Sequence, residues 1–339
     1  MMANFTSSVL QPFFGFYSDK KEKPILLPLG ILSAGIGYSL LSMPNNYFLI
    51  LILVIISGLG IAAYHPEGYK TAHFFTGERS VTGMSIFSVG GNLGFSLGPI
   101  ISIYLIHHFG FSYLPLMVII SFVCTALIIS QKKTISIPRL EHIKKVELTE
   151  KPSLSAYISL SMVTMVVIMR SWTQMGLLSY IPFYYINYMK GDPLIAGRLV
   201  FIYLLCGAAG TLIGSPFADR WGHRFFLRLT MFLATITLPL IFIPFIQNSV
   251  LLYFVLGLQG MLMISTFSVT VVMAQKLLPN KLGMASGLMV GFAIGTGGIG
   301  VTLLGLIADS YGVPAALKSI CILPLIGFIL SLIVKYKEK

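Results

Sequence analysis

One repetition constrains this chain more than anything else in it: strongly apolar stretches of about 20 residues follow one another from end to end, joined by short polar intervals. A helix rises about 1.5 Å per residue, so about 20 residues cross a hydrocarbon layer roughly 30 Å thick. Stretches of that length fall at 25–43, 47–66, 81–105, 111–130, 154–177, 194–214, 225–246, 250–275, 284–307 and 312–334, and a shorter piece, Ala3 to Tyr17, opens the chain as an incomplete eleventh. The mean hydropathy of +0.87 and a charged fraction of 10% leave almost no segment suited to water. The ten-residue alternation of a membrane barrel is absent, and backbone in hydrocarbon must satisfy its own hydrogen bonds. The predicted class is therefore an all-α membrane protein of about 11 spanning helices.

The net charge of +12 would suggest a nucleic-acid partner in a soluble chain, but its placement says otherwise. With loops assigned to alternate sides, one side collects all of the 23 Lys and Arg except Arg170, Lys190, Arg198 and Lys318. That bias marks cytoplasmic loops and places the C-terminus in the cytoplasm. Cys124, Cys206 and Cys321 lie inside apolar runs with no redox or zinc spacing, so they are read as buried packing residues.

Gln131 to Ser153 is the longest polar interval and carries Lys132, Lys133, Arg139, Glu141, Lys144, Lys145, Glu147, Glu150 and Lys151. It divides the chain into a bundle at 1–130, a cytoplasmic linker at 131–153 and a second bundle at 154–339. The halves resemble each other. Gly15-Phe-Tyr-Ser-Asp19-Lys recurs in kind as Asp219-Arg-Trp-Gly-His-Arg224, and the Gly-studded run from Gly90 to Pro99 recurs at Gly291 to Gly305. Two related six-helix halves explain this, with the first half one helix short. Parity agrees, since eleven spans ending inside would begin outside; the expectation is that about one and a half helices are missing from the front.

The loops at Gly15–Asp19–Lys20 and Asp219–Arg220–Gly222–Arg224 resemble the signature loop of the major facilitator superfamily, which occurs once in each half of its members. Here Glu22 and Ser215 stand where that pattern has glycine. Asn4 to Pro12, Gly58-Leu-Gly60, His65-Pro66-Glu67-Gly68, Gly90-Gly-Asn92, Gly98-Pro99 and Arg170-Ser-Trp172 further resemble the fosmidomycin-resistance branch, and the likeness covers almost the whole chain. What the resemblance implies is a major facilitator fold and a proton-driven exporter of the bacterial inner membrane, multi-pass and working without a cofactor. It does not imply the substrate.

Arg170 is the first candidate for chemistry, because an arginine in the middle of the apolar interval Leu154 to Ile186 costs several kcal/mol unless it faces water or a partner. A guanidinium there could hold a phosphonate or carboxylate through its planar fork. The alternatives are a structural ion pair or snorkelling to the surface. Trp172 and Gln174 follow within a turn but on different faces, so at most one shares its cavity. Gln259 is an isolated amide on a span that lines the central cavity in the resembled superfamily, and interhelical bonding is its other reading. Glu67, with His65, is the candidate for proton coupling, since a carboxylate near the membrane interior is poised to load a proton. Its place about 30 Å along its helix also fits a solvated helix end, or a gate pairing with Lys70 or Arg79.

Gly94-x-x-x-Gly98 reads as a close helix approach and Pro99 as a bend. In the superfamily a similar piece is associated with antiporters, so it is set with Gly15, Asp19, Asp219, Arg220, Gly222 and Arg224 as conformational gating. Those loops would hold the inner face closed and release as the halves rock. No phosphate-cradling loop, metal cluster or nucleophile beside a base is present in the sequence, so enzyme chemistry is not expected. The reading is a secondary transporter, a monomer whose partners are lipid, protons and a small drug-like or anionic substrate. Import of an organic or sugar acid, or a non-transporting remnant, remain alternatives.

Overall fold

The computed structural model describes residues 2–21, 23–147, 152–247 and 250–336, so expectations resting on Glu22, Glu150, Lys151, Lys337 and Lys339 lie outside the described residues. Among the described residues every regular element is helical. In chain order these are α1 (Met2–Val9), α2 (Gln11–Asp19), α3 (Leu26–Ser39), α4 (Tyr47–His73), α5 (Ser80–Phe109), α6 (Val118–Ser130), α7 (Lys132–Glu147), α8 (Leu154–Phe183), α9 (Pro193–Trp221), α10 (His223–Thr237) and α11 (Pro244–Gln247). They are followed by α12 (Leu251–Leu277), α13 (Leu282–Gly287), α14 (Gly297–Tyr311), α15 (Val313–Ile320) and α16 (Ile322–Ile333). Among the described residues nine helical stretches are long and apolar enough to cross a membrane, and Leu26–Ser42 is a shorter tenth. With the broken pair α1 and α2, they account for the eleven apolar stretches of the sequence.

Local chemistry sets the helix starts. Asn46 accepts from the Phe48 N–H, Ser153 from Ala156, and Asp192 from Leu194 with Pro193 in the first turn. Gly222 and Gly312 take φ of +99° and +86°, so α9 and α14 end and the next helix begins at the following residue. Two features differ from the sequence reading. α4 runs on past Pro66 to His73, because the polar residues in its last turns find partners inside the protein. The linker is largely helical, as α7.

The chain forms two compact units, one made of residues 1–78, 86–152 and 278–295, the other of 79–85, 153–277 and 296–339. In the second unit Leu177, Leu199, Tyr203, Leu238, Leu256 and Leu317 are part of a continuous core. There α9 and α12 meet along a seam of small residues: a Cβ at Gly260 would collide with the Tyr203 carbonyl, and one at Gly210 with Met261. Gly297 lies against Ser171 and Met175, and Gly300 against the Trp172 ring, so the glycine face of α14 is filled by α8.

In the first unit α3 and α4 approach through Gly30, Gly37 and Gly60. The glycine face of α5 is different. Gly90, Gly91, Gly94 and Gly98 have nothing within 4 Å, and Gly94 and Gly98 line an open groove of about 780 Å³ with residues of α3, α4 and α6. The close approach expected at Gly94 and Gly98 therefore has no partner among the described residues, and α5 continues through Pro99 to Phe109. The cysteines also depart from expectation. Cys124 is exposed and Cys206 and Cys321 are half-buried, because lipid solvates an apolar side chain that water would drive inward.

Candidate functional site

The first polar cluster is built at the C-terminal end of α2. Gly15 lies so close to the backbone of Gly283 that no Cβ fits, which brings the end of α2 flat onto the start of α13. Asp19 then reaches two free N–H groups of that helix start: Gly283 donates to one carboxylate oxygen at 2.8 Å and Met284 to the other at 2.9 Å. A carboxylate is favoured there because the first N–H groups of a helix lack internal partners and carry its positive dipole end.

Behind Asp19 the cluster is closed by α4 and α7. Lys70 Nζ sits 3.1 Å from Asp19 and donates to the Ser18 carbonyl at 3.0 Å. Glu67, 1% exposed, accepts from the Ser18 hydroxyl and is ion-paired with Arg139. Arg139, also 1% exposed, donates from Nε to the Lys21 carbonyl at 2.8 Å and from Nη2 to the Ser18 carbonyl at 2.6 Å. Glu67 is thus neither a solvated helix end nor paired with Lys70 or Arg79; a linker arginine holds it. His65, expected to act with Glu67, forms no hydrogen bond to it among the described residues, and its ring lies between those of Tyr64 and Tyr69.

The second unit repeats the arrangement. Asp219, near the end of α9, accepts from the N–H groups of Val81 and Thr82 at 2.9 and 2.8 Å and from the Thr82 hydroxyl at 2.7 Å. His223 Nε2 lies 3.6 Å from Asp219, and its Nδ1 is 2.8 Å from the Tyr336 hydroxyl. Gly222 supplies the positive φ of the corner, Arg220 is exposed and Arg224 half-buried. Each half thus carries a carboxylate at the end of one helix, seated on the free N–H groups at the start of another.

Arg170 occupies a third position, midway along α8 and 2% exposed. Its Nη1 donates to the Met263 carbonyl at 3.5 Å, a long bond, and its guanidinium stands 5.7 Å from the Phe267 ring. No carboxylate lies within ion-pair distance of it among the described residues, and its Nε has no hydrogen-bond partner. The Tyr203 hydroxyl is also buried without a partner among the described residues. Gln259 falls one turn before Met263 on α12; its carbonyl accepts from Thr237 at 2.9 Å, and its buried amide nitrogen is unpartnered. Trp172 turns elsewhere, to Gly300 and the Thr296 hydroxyl at 3.3 Å, and Gln174 is half-buried.

Arg139, Ser18, His223 and Tyr203 were not singled out by the sequence. The one signal for Arg139 was an arginine beside Pro138 amid the isoleucines at 135 and 137 of an otherwise polar linker.

The model of the Major Facilitator Superfamily matches residues 1–289 and again 160–339. An uncharacterized MFS-type transporter of Bacillus subtilis, YfnC, is 33% identical over 97% of this chain and 81% of its own length. The fosmidomycin resistance protein of Escherichia coli is 30% identical over 95% of this chain and 80% of its own. Among solved structures, the human organic anion transporter MFSD10 superposes with a TM-score of 0.76 at 17% identity, over 97% of this chain and 81% of that one.

Proposed function

Because the chain belongs to the Major Facilitator Superfamily of membrane transporters, we propose that it is a proton-coupled exporter of a small drug-like or anionic compound, of which fosmidomycin is the first to try. It would act in a bacterial inner membrane with its C-terminus in the cytoplasm. One observation carries the substrate reading: among the described residues Arg170 is buried without a carboxylate partner and keeps an unused donor. A buried cation left unpaired by its own protein is favourable only when something else brings it an anion. A phosphonate or carboxylate would accept along a free edge of the guanidinium, with the unpartnered Gln259 amide one turn before Met263 on α12.

The two carboxylate latches would supply the conformational cycle. Each engages two short, directional hydrogen bonds at a helix start, so each is either seated or released. Glu67 would carry the proton, and protonation would discharge the partner of Arg139, so that proton loading and latch release become one event.

The test is resistance to fosmidomycin in a pump-deficient bacterium expressing the chain, measured with its membrane abundance. A raised inhibitory concentration that Arg170→Ala abolishes at equal abundance supports export. Wild-type resistance from that variant removes Arg170 from the site. No resistance from the inserted parent chain removes export of this compound.

A further inference from the structure

We propose that Arg139 makes the linker helix a working part of the cytoplasmic latch, acting as the positioning residue that seats Asp19 on the helix start at Gly283 and Met284. Its guanidinium spans the turn that carries Asp19. One donor holds the carbonyl of Ser18, immediately before the aspartate, and another holds the carbonyl of Lys21, two residues after it. The third donor takes Glu67, whose second oxygen is occupied by the Ser18 hydroxyl. Two backbone carbonyls and the Glu67 carboxylate are thereby fixed by one side chain delivered from α7, which acts on Asp19 through the backbone it clamps, while Lys70 reaches the Asp19 carboxylate directly.

The second half contains an independent version of the same device. There the segment after the last helix returns to the latch loop: Tyr336, three residues beyond α16, binds His223, which flanks Asp219. Arg228 of α10 ties the end of α16 by donating to the carbonyls of Ser331 and Leu332 at 3.1 and 2.8 Å. In each half, then, the polypeptide leaving the bundle is fastened to the loop that carries the latch aspartate. A linker that merely joined the halves would leave its one arginine solvated; this one buries Arg139 more completely than Lys70.

The experiment is hydrogen exchange by mass spectrometry on the full chain in lipid nanodiscs, following the peptide that spans residues 279–290, whose Gly283 and Met284 amides donate to Asp19. Arg139→Lys keeps the charge but cannot reach two carbonyls and a carboxylate with a planar fork. It is expected to fold and to speed exchange of those amides at least tenfold. Arg139→Gln strands Glu67 as a buried unpaired charge and lowers abundance, whereas Glu67→Gln with Arg139→Gln removes that charge and restores abundance. In the double variant exchange stays fast, because the Lys21 carbonyl is still unclamped and Lys70 alone holds that of Ser18. Tyr336→Phe leaves the 279–290 peptide at the parent rate. Parent-like protection in Arg139→Lys, or in the double variant, overturns the proposal.

The functional consequence rests on the transporter reading: Arg139→Lys lowers the maximal transport rate with KM unchanged. Should the parent chain carry no substrate tried, that reading fails alone, since the exchange measurement needs no transport.

Discussion

Replacing Arg170 by methionine should make this protein more stable and inactive at once. An arginine at the centre of a membrane helix costs roughly 2.5–3.5 kcal/mol on insertion scales. In the unfolded helix the side chain can escape by snorkelling, but in the folded chain it is 2% exposed and cannot. Against that stand one hydrogen bond of 3.5 Å to the Met263 carbonyl, worth about 0.5 kcal/mol at that length, and the Phe267 ring at 5.7 Å, worth about 0.5–2 kcal/mol. The balance leaves roughly 1 kcal/mol of strain that methionine, similar in length and adaptable in shape, removes. The assay is unfolding of the purified chain by heat and by sodium dodecyl sulfate, read beside transport. A midpoint above the parent, with transport lost, is the expected result. A midpoint below it by 1 kcal/mol or more would show that Arg170 is a satisfied structural residue, and the anion site would lose its main support.

Three further outcomes follow from contacts described above. Asp219→Asn replaces a carboxylate that accepts three hydrogen bonds by an amide whose NH₂ must face a backbone N–H, of Val81 or of Thr82, and should cost about 2 kcal/mol in unfolding while slowing transport. Gly260→Ala drives a methyl into the Tyr203 backbone and should cost about 3 kcal/mol or prevent insertion, whereas Gly94→Ala meets nothing and should be neutral or slightly stabilising; equal melting of the two would contradict the packing described. Trp172→Phe should lose about 1 kcal/mol through the Thr296 bond with transport retained, since Trp172 packs on α14 and away from Arg170.

What the sequence made legible follows from which interactions are local. The spans were readable because burial in lipid depends on composition over about 20 residues, and the ends of α4 were not, because Glu67 and Lys70 are tolerated in a helix only through partners far away in the chain. Asp19 and Asp219 stood out through duplication, yet their acceptor role depends on the helix starts at Gly283 and Val81, which no spacing shows. Arg170 was conspicuous because a single charge in an apolar run is visible without any contact. Arg139 was hidden for the opposite reason, being one cation among several in a polar segment whose burial is decided by the fold. Gly94 and Gly98 carry the pattern of a packed seam, but a pattern records what a helix face can accept and says nothing of what lies against it.

The formal charges of the Asp19 cluster have an electrical consequence. Two carboxylates, Asp19 and Glu67, are met by two cations, Lys70 and Arg139, so the cluster as a whole is neutral. Moving one elementary charge through 100 mV is worth about 2.3 kcal/mol, enough for a resting membrane potential to bias a gate by tenfold or more. A neutral gate feels no such force. While Glu67 is ionised, the membrane potential therefore acts on the transport cycle through charges outside this cluster, Arg170 and whatever it carries among them, and it acts on the cluster itself once a proton loads Glu67. Voltage sensitivity, if measured, should change with the charge at position 170 and with the charge of the transported compound, and fall when Glu67 and Arg139 are neutralised together, because the proton then has no carrier there.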